Sequence, residues 1–217
     1  MDIEQARFNM VEQQIRPWDV LNLEVLDLLS QVKREEYVPE TYRTLAFVDM
    51  EIPLGHGEAM LSPKMEARIL QEIHLKKTDR VLEVGTGSGY MTALLAHQAD
   101  HVFSVEIVPE FKAEAERKLK AHELNNVTLD VGDAARGWGK HGPYDVIVLT
   151  GSVPVLPEEF LKSLKAEGRL FAIVGDAPAM EAQLVTCVAE GVFNTVVLFE
   201  TCVAPLKNAL QPERFVF

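Results

Sequence analysis

A chain of 217 residues that is 47% hydrophobic and 25% charged can bury a full core without disulfide or metal staples, and one α/β domain is the simplest count. Its net charge of −12 speaks against a nucleic-acid partner, because such binding draws on clustered Lys and Arg. No stretch approaches the ~18 consecutive apolar residues of a membrane span, and the acidic N-terminus lacks the basic and apolar regions of a signal peptide, so no membrane partner is expected and the cytoplasm is the expected location.

In chain order, two helical segments come first. Residues 4–16 and 22–34 carry apolar positions at helical spacing, Phe8, Val11 and Ile15 in one and Leu23, Leu26, Leu29 and Val32 in the other, with Pro17-Trp18 between them. They are expected to cap one end of a sheet. A loop rich in Pro, Gly and aromatic residues runs from Tyr37 to Leu61, and a helix over 63–73 opens on Pro63, a residue favoured in a first turn. Strands are predicted at 80–84, 102–106, 127–131, 144–149, 169–174, 183–190 and 193–203, with helices at 88–97, 109–123 and 157–165 among them.

Strand-helix alternation with right-handed crossovers implies a doubly wound, mostly parallel seven-stranded sheet, and the turn at Glu190-Gly191 makes the last two strands an antiparallel C-terminal hairpin. No repeat or linker divides the chain. Residues 1–217 are therefore read as one domain, with 1–62 an N-terminal helical and loop extension and 63–217 the sheet core. Cys187 and Cys202 fall on separate strands without metal-ligand spacing and read as reduced thiols, and no metal is expected. The apolar finish Arg214-Phe215-Val216-Phe217 is expected to pack on the sheet edge or near the loop from Gly55 to Pro63.

The most informative stretch is Val81-Leu82-Glu83-Val84-Gly85-Thr86-Gly87-Ser88-Gly89-Tyr90, followed by Val102-Phe103-Ser104-Val105-Glu106. Glycine permits unusual backbone angles and close approach of a ligand to the main chain, so Gly85 and Gly87 would form the floor of a site. Free amides at the start of the next helix can hold an anionic group, and Glu106 at the end of the next strand can grip a ribose diol. A dinucleotide fingerprint would place a small residue where Tyr90 stands, and Glu83 would repel a pyrophosphate while favouring a cationic amine or sulfonium. That combination favours S-adenosyl-L-methionine over NAD.

The Glu-x-Gly-x-Gly-x-Gly string resembles motif I of class I methyltransferases, and Glu106 resembles their ribose-binding acid. Met10-Val11-Glu12-Gln13-Gln14-Ile15-Arg16, Arg34-Glu35-Glu36-Tyr37-Val38-Pro39-Glu40, Ala46-Phe47-Val48-Asp49 and Ile52-Pro53-Leu54-Gly55-His56-Gly57 then resemble, in order and spacing, protein-L-isoaspartate O-methyltransferase. The resemblance covers most of residues 6–180. It implies a Rossmann-like methyltransferase fold and methyl transfer from S-adenosyl-L-methionine to the free carboxylate of isoaspartyl residues in aged proteins or peptides. The cofactor-binding set it implies is Glu83, Gly85, Thr86, Gly87, Gly89, Glu106, Ile107, Asp133, Ala134 and Thr150, with Asp133 taking the adenine amino group. Tyr144-Asp145 resembles the fourth-strand motif, where the aspartate orders the strand start. Oligomeric state is not legible in the sequence.

One segment departs from the family. Where the family usually reads Gly-x-Gly-Gln-Thr-Ile-Ser-x-Pro, this chain reads Gly55-His56-Gly57-Glu58-Ala59-Met60-Leu61-Ser62-Pro63. Losing hydroxyl donors beside an anionic acceptor removes charge-assisted hydrogen bonds worth roughly 1.5–3 kcal/mol each, and an ionised Glu58 would add repulsion. Glu58, Leu61 and Ser62 are the candidate acceptor-side catalytic residues, with a helix N-cap the plainer role for Ser62 and exposure on a loop the plainer one for His56. Two alternatives to isoaspartyl methylation follow from the departure: a methyltransferase with a changed acceptor, or a protein that binds the cofactor without turnover.

Overall fold

The computed structural model describes residues 2–212, so the expected packing of Arg214 to Phe217 lies outside the described residues. Helix α1 (Ile3–Asn9) starts at Asp2, whose carboxylate accepts the Gln5 amide at 3.2 Å. It does not run to residue 16 as one α-helix. A π-helical segment over Met10–Ile15 and a 3-10 turn over Arg16–Trp18 follow. The wider turn shifts the helical phase. Met10, Val11 and Ile15 are buried, whereas Phe8, expected beside them, is exposed.

Helix α2 (Leu23–Gln31) is capped by the Asn22 side chain and buries Val25, Leu26, Leu28 and Leu29, leaving Leu23 at its open first turn. It ends earlier than expected, and 34–36 form a 3-10 turn instead. The presumed loop of 37–61 holds another 3-10 segment, Glu40–Leu45, and a small antiparallel hairpin, β1 (Ile52–Gly55) and β2 (Glu58–Met60). Gly55, His56 and Gly57 all take positive φ at its tip, which two glycines allow cheaply. Helix α3 (Pro63–Ile73) follows as expected.

The core then alternates β3 (Arg80–Val84), α4 (Tyr90–Gln98), β4 (His101–Glu106), α5 (Pro109–Ala121), β5 (Val127–Val131), β6 (Tyr144–Val153), α6 (Glu158–Lys162) and β7 (Leu164–Val174), and ends in β8 (Met180–Ala189) and β9 (Val192–Thr201). The sheet order is β5-β4-β3-β6-β7-β8-β9. The first five strands are parallel, and β8 runs antiparallel to both β7 and β9. The seven-stranded, mostly parallel sheet with its C-terminal hairpin is therefore as expected.

Two strands are longer than their sequence pattern suggested. β6 continues through Thr150, Gly151 and Ser152 after a register shift, and β7 begins at Leu164 with a bulge before Arg169. Asp145 does order the start of β6: its carboxylate accepts the Arg80 amide at 2.9 Å and the Lys165 ammonium at 2.7 Å.

Two apolar clusters lie on the two faces of the sheet. The larger joins Met10, Ile15, Leu29, Tyr37 and Met65 to α4 and to Val81, Val146 and Phe171 of the strands. That sandwiching explains why α4 is buried on nearly every side from Tyr90 to Ala96. The second gathers Leu82, Tyr144, Ile147, Phe160 and Leu170. No helix among the described residues is long and apolar enough to cross a membrane, and no described group of His, Cys, Asp or Glu has the arrangement of a metal site. Cys187 and Cys202 are both free thiols.

Candidate active site

Ligands of open α/β sheets bind beyond the carboxyl ends of the strands, where the strand order reverses. Here β3 lies between β4 and β6, and a cleft of about 970 Å³, partly open to solvent, lies at those ends. Its floor is main chain. Gly85 has φ +96°, and a Cβ there would lie 2.3 Å from Thr150 Oγ1. Thr150 in turn donates to the carbonyls of Val84 and Gly85 at 2.9 and 2.8 Å, so the extension of β6 props the turn from beneath. Gly87, with φ +51°, faces Leu54 of the β1–β2 hairpin.

Glu106 at the end of β4 is fixed from two sides. Its Oε2 accepts the Gly87 amide at 2.8 Å and its Oε1 the Val108 amide at 2.9 Å. The backbone joins in, with Gly85 donating to the Val105 carbonyl and Gly132 to that of Glu106, both at 2.9 Å. Across the cleft, Asp133 accepts the Ala135 amide at 3.0 Å and the Asn208 side-chain amide at 2.8 Å. Thr86, Ile107 and Ala134 also line the space.

Two members of the expected cofactor set stand elsewhere. Glu83 is wholly buried beneath the turn, away from the cleft wall, and accepts hydrogen bonds from Ser104 and Thr92 through one oxygen. Burial pushes its carboxyl up to about 8, against the pull of those two hydroxyls, and nearby Glu106 adds to the rise. The acid before the glycines is thus a support under the turn, coupled through Ser104 to Thr86, whose hydroxyls lie 2.6 Å apart. Gly89 is likewise off the lining. A Cβ on it would meet Ala115 at 3.0 Å, so this glycine lets α5 pack against the start of α4.

The acceptor side is built from segments far apart in sequence. Leu54, Glu58, Ala59, Met60 and Leu61 come from the hairpin and the residue after it, and Val203 to Lys207 from the chain beyond β9. Leu61 is buried, and its carbonyl accepts Arg34 Nη2 at 2.7 Å. Arg34 is itself buried, pairs with Glu66 of α3, and reaches the Ala46 carbonyl at 2.9 Å. Removing one member of such a buried pair costs about 3–5 kcal/mol, so the end of the hairpin is firmly anchored.

Ser62 is the N-cap residue of α3, but by backbone alone. Its carbonyl receives the Met65 and Glu66 amides, its hydroxyl makes no cap bond, and it is absent from the cleft wall. Of the three acceptor-side candidates, Glu58 and Leu61 face the cleft and Ser62 does not. His56 is exposed at the hairpin tip, edge-on to Phe111.

The segment after β9 was not assigned a part by its sequence. It is strapped to β6 at Ser152, whose amide donates to Ala204 at 3.0 Å, whose carbonyl accepts Leu206 at 2.8 Å, and whose hydroxyl donates to Val203 at 3.0 Å. Gly151 admits this strap, since a Cβ there would lie 2.8 Å from Leu206. Beyond the strap, Lys207 reaches Glu58 at 3.1 Å and the His56 carbonyl at 3.0 Å. No local signal in the sequence marks these residues.

The family model for protein-L-isoaspartate(D-aspartate) O-methyltransferase matches residues 6–209. Among curated relatives, a protein-L-isoaspartate O-methyltransferase of Protochlamydia amoebophila is 38% identical over 174 residues, covering 80% of this chain and 82% of the relative. One from Yersinia enterocolitica is 37% identical over 182 residues, covering 84% and 86%. In fold, the chain is similar to a protein-L-isoaspartate O-methyltransferase from Plasmodium falciparum solved with S-adenosyl-L-homocysteine, with a TM-score of 0.80, 21% identity, and coverage of 93% and 98%.

Proposed function

The chain belongs to the protein-L-isoaspartate O-methyltransferase family, and we propose how its own residues carry out the S-adenosyl-L-methionine-dependent methylation of isoaspartyl carboxylates that membership entails. The observation that carries the cofactor reading is the tethered Glu106 carboxylate beside a bare glycine floor. Each Glu106 oxygen has one amide partner and retains a lone pair, which suits the two hydroxyls of a ribose. Asp133 similarly keeps acceptor capacity for an adenine amino group. Gly87 keeps the floor open opposite Leu54, and Gly85 lets the turn seat directly on Thr150, so together they present main chain to the ligand. The buried Glu83 holds that turn in shape without touching the ligand in this assignment, and the half-buried Thr150 both props the turn and lines the cleft.

When bound, S-adenosyl-L-methionine supplies an electrophilic methyl group and its own leaving group. An acceptor carboxylate is already ionised and nucleophilic at neutral pH, so no side chain need act as a general base. The chain's contribution is orientation and exclusion of water, effects that supply a large part of a barrier reduction when geometry is well held. Leu54, Met60 and Leu61 form the apolar wall for that purpose, and Arg34 fixes its end through the Leu61 carbonyl.

The acceptors are isoaspartyl residues in damaged proteins. The net charge of −12 supports a protein or peptide partner over a nucleic acid, and the two free thiols fit a cytoplasmic location. Transfer of labelled methyl to a matched pair of peptides, one isoaspartyl and one aspartyl, tests this reading. Label on the isoaspartyl peptide alone is expected. Label on neither, in a protein that binds the cofactor, would point to a changed acceptor or a silent binder.

A further inference from the structure

Glu51, Glu58, Glu106 and Asp133 line the cleft, as does Glu66, already paired with the buried Arg34, and Lys207 is the single lysine or arginine among the described residues that do so. An anionic acceptor entering such a space needs a cation to meet it. Resting on the isoaspartyl reading above, we propose that Lys207 is the specificity-determining residue for the acceptor: its ammonium receives the isoaspartyl carboxylate, and the Glu58 carboxylate holds that place until substrate displaces it.

Three features of the site support the exchange. The Lys207–Glu58 pair is partly open, with side chains 38% and 30% exposed, and pairs of that kind contribute little and separate readily. Glu58 directly follows the exposed hairpin tip of Gly55, His56 and Gly57, and its partly exposed side chain can turn toward solvent when it is displaced. Lys207, by contrast, issues from a strap tied to β6 by three hydrogen bonds at Ser152. Its ammonium donates one hydrogen bond, to the His56 carbonyl, and otherwise meets Glu58 as an ion pair, which leaves donor capacity for an incoming carboxylate. A cation on a strap tied to β6 facing a partly exposed anion beside a hairpin tip is the arrangement a carboxylate-for-carboxylate swap requires.

The alternative role for Lys207 is to fasten the hairpin through Glu58, and the two roles predict different signs. If the pair is a fastener, Lys207→Met and Glu58→Gln remove the same link and both impair the acceptor site. If Lys207 receives the acceptor, Lys207→Met raises KM for an isoaspartyl peptide by about tenfold with a smaller change in kcat, because a charge-assisted bond is lost. Glu58→Gln then lowers KM, because a competing anion is gone. Lys207→Arg, which keeps the charge, should stay near wild type. KM shifts in the same direction for Lys207→Met and Glu58→Gln would overturn the proposal while leaving isoaspartyl methylation intact. Absence of isoaspartyl turnover in the wild-type protein would overturn both.

Discussion

The two halves of the cleft are made of different materials. The cofactor half is main chain locked to main chain: Gly85 and Gly132 donate to the end of β4, Glu106 is held by two backbone amides, and Thr150 props the turn. The acceptor half is made of side chains from the 52–61 hairpin and the 203–207 strap, joined by a partly exposed ion pair. Changes in the first half must distort backbone, whereas changes in the second exchange one side-chain contact for another. Side-chain replacements such as those at Glu58, Ala59 and Leu61 therefore fall in the half whose backbone does not depend on them.

Gly85→Ala should break the first half most severely. The new Cβ would collide with Thr150 Oγ1 on a backbone at φ +96°, so we expect cofactor affinity to fall by more than about 100-fold, together with a stability loss of about 1–3 kcal/mol in thermal unfolding. Near-native binding of S-adenosyl-L-methionine in this variant would remove the bare floor from the account. Glu106→Ala should weaken cofactor binding by roughly 10–100-fold, the equivalent of one charge-assisted interaction, measured by calorimetric titration. On the acceptor side the effects are smaller, and the opposite KM shifts of Lys207→Met and Glu58→Gln are their signature.

The smallest effect concerns pH. The Glu83 carboxyl is held protonated up to about pH 8 in the fold, against 4.5 for an ordinary glutamate. The folded protein thus binds an extra proton between these values, and the stability this confers is complete below the lower one and lost as pH rises through the upper. Glu83→Gln should flatten that loss, so its Tm relative to wild type should improve between about pH 5 and pH 8. Parallel Tm curves across that range would contradict a buried, protonated carboxyl at this position.

This division also explains what the sequence revealed. Glycine-rich turns and short apolar, β-branched runs bounded by turns are local features, so Gly85, Gly87, Glu106 and the parallel sheet could be read directly. Glu83 was read as a ligand because spacing places it beside the turn but does not say which face of β3 its side chain takes. Ala115 approaching Gly89 and Thr150 rising within a longer β6 are tertiary facts of the same kind. Phe8 was misassigned because a π-helical segment broke the helical phase. Lys207 meeting Glu58 depends on two segments 149 residues apart converging across the cleft, and nothing local to either announces it.

The most direct test of the separation between the halves is the equilibrium affinity for S-adenosyl-L-methionine in Lys207→Met and Glu58→Gln, measured beside their acceptor KM values. The cofactor Kd should stay within about twofold of wild type in both while KM moves in opposite directions. A tenfold or greater loss of cofactor affinity in either variant would show that strap and hairpin hold the cofactor half together, and would contradict the separation.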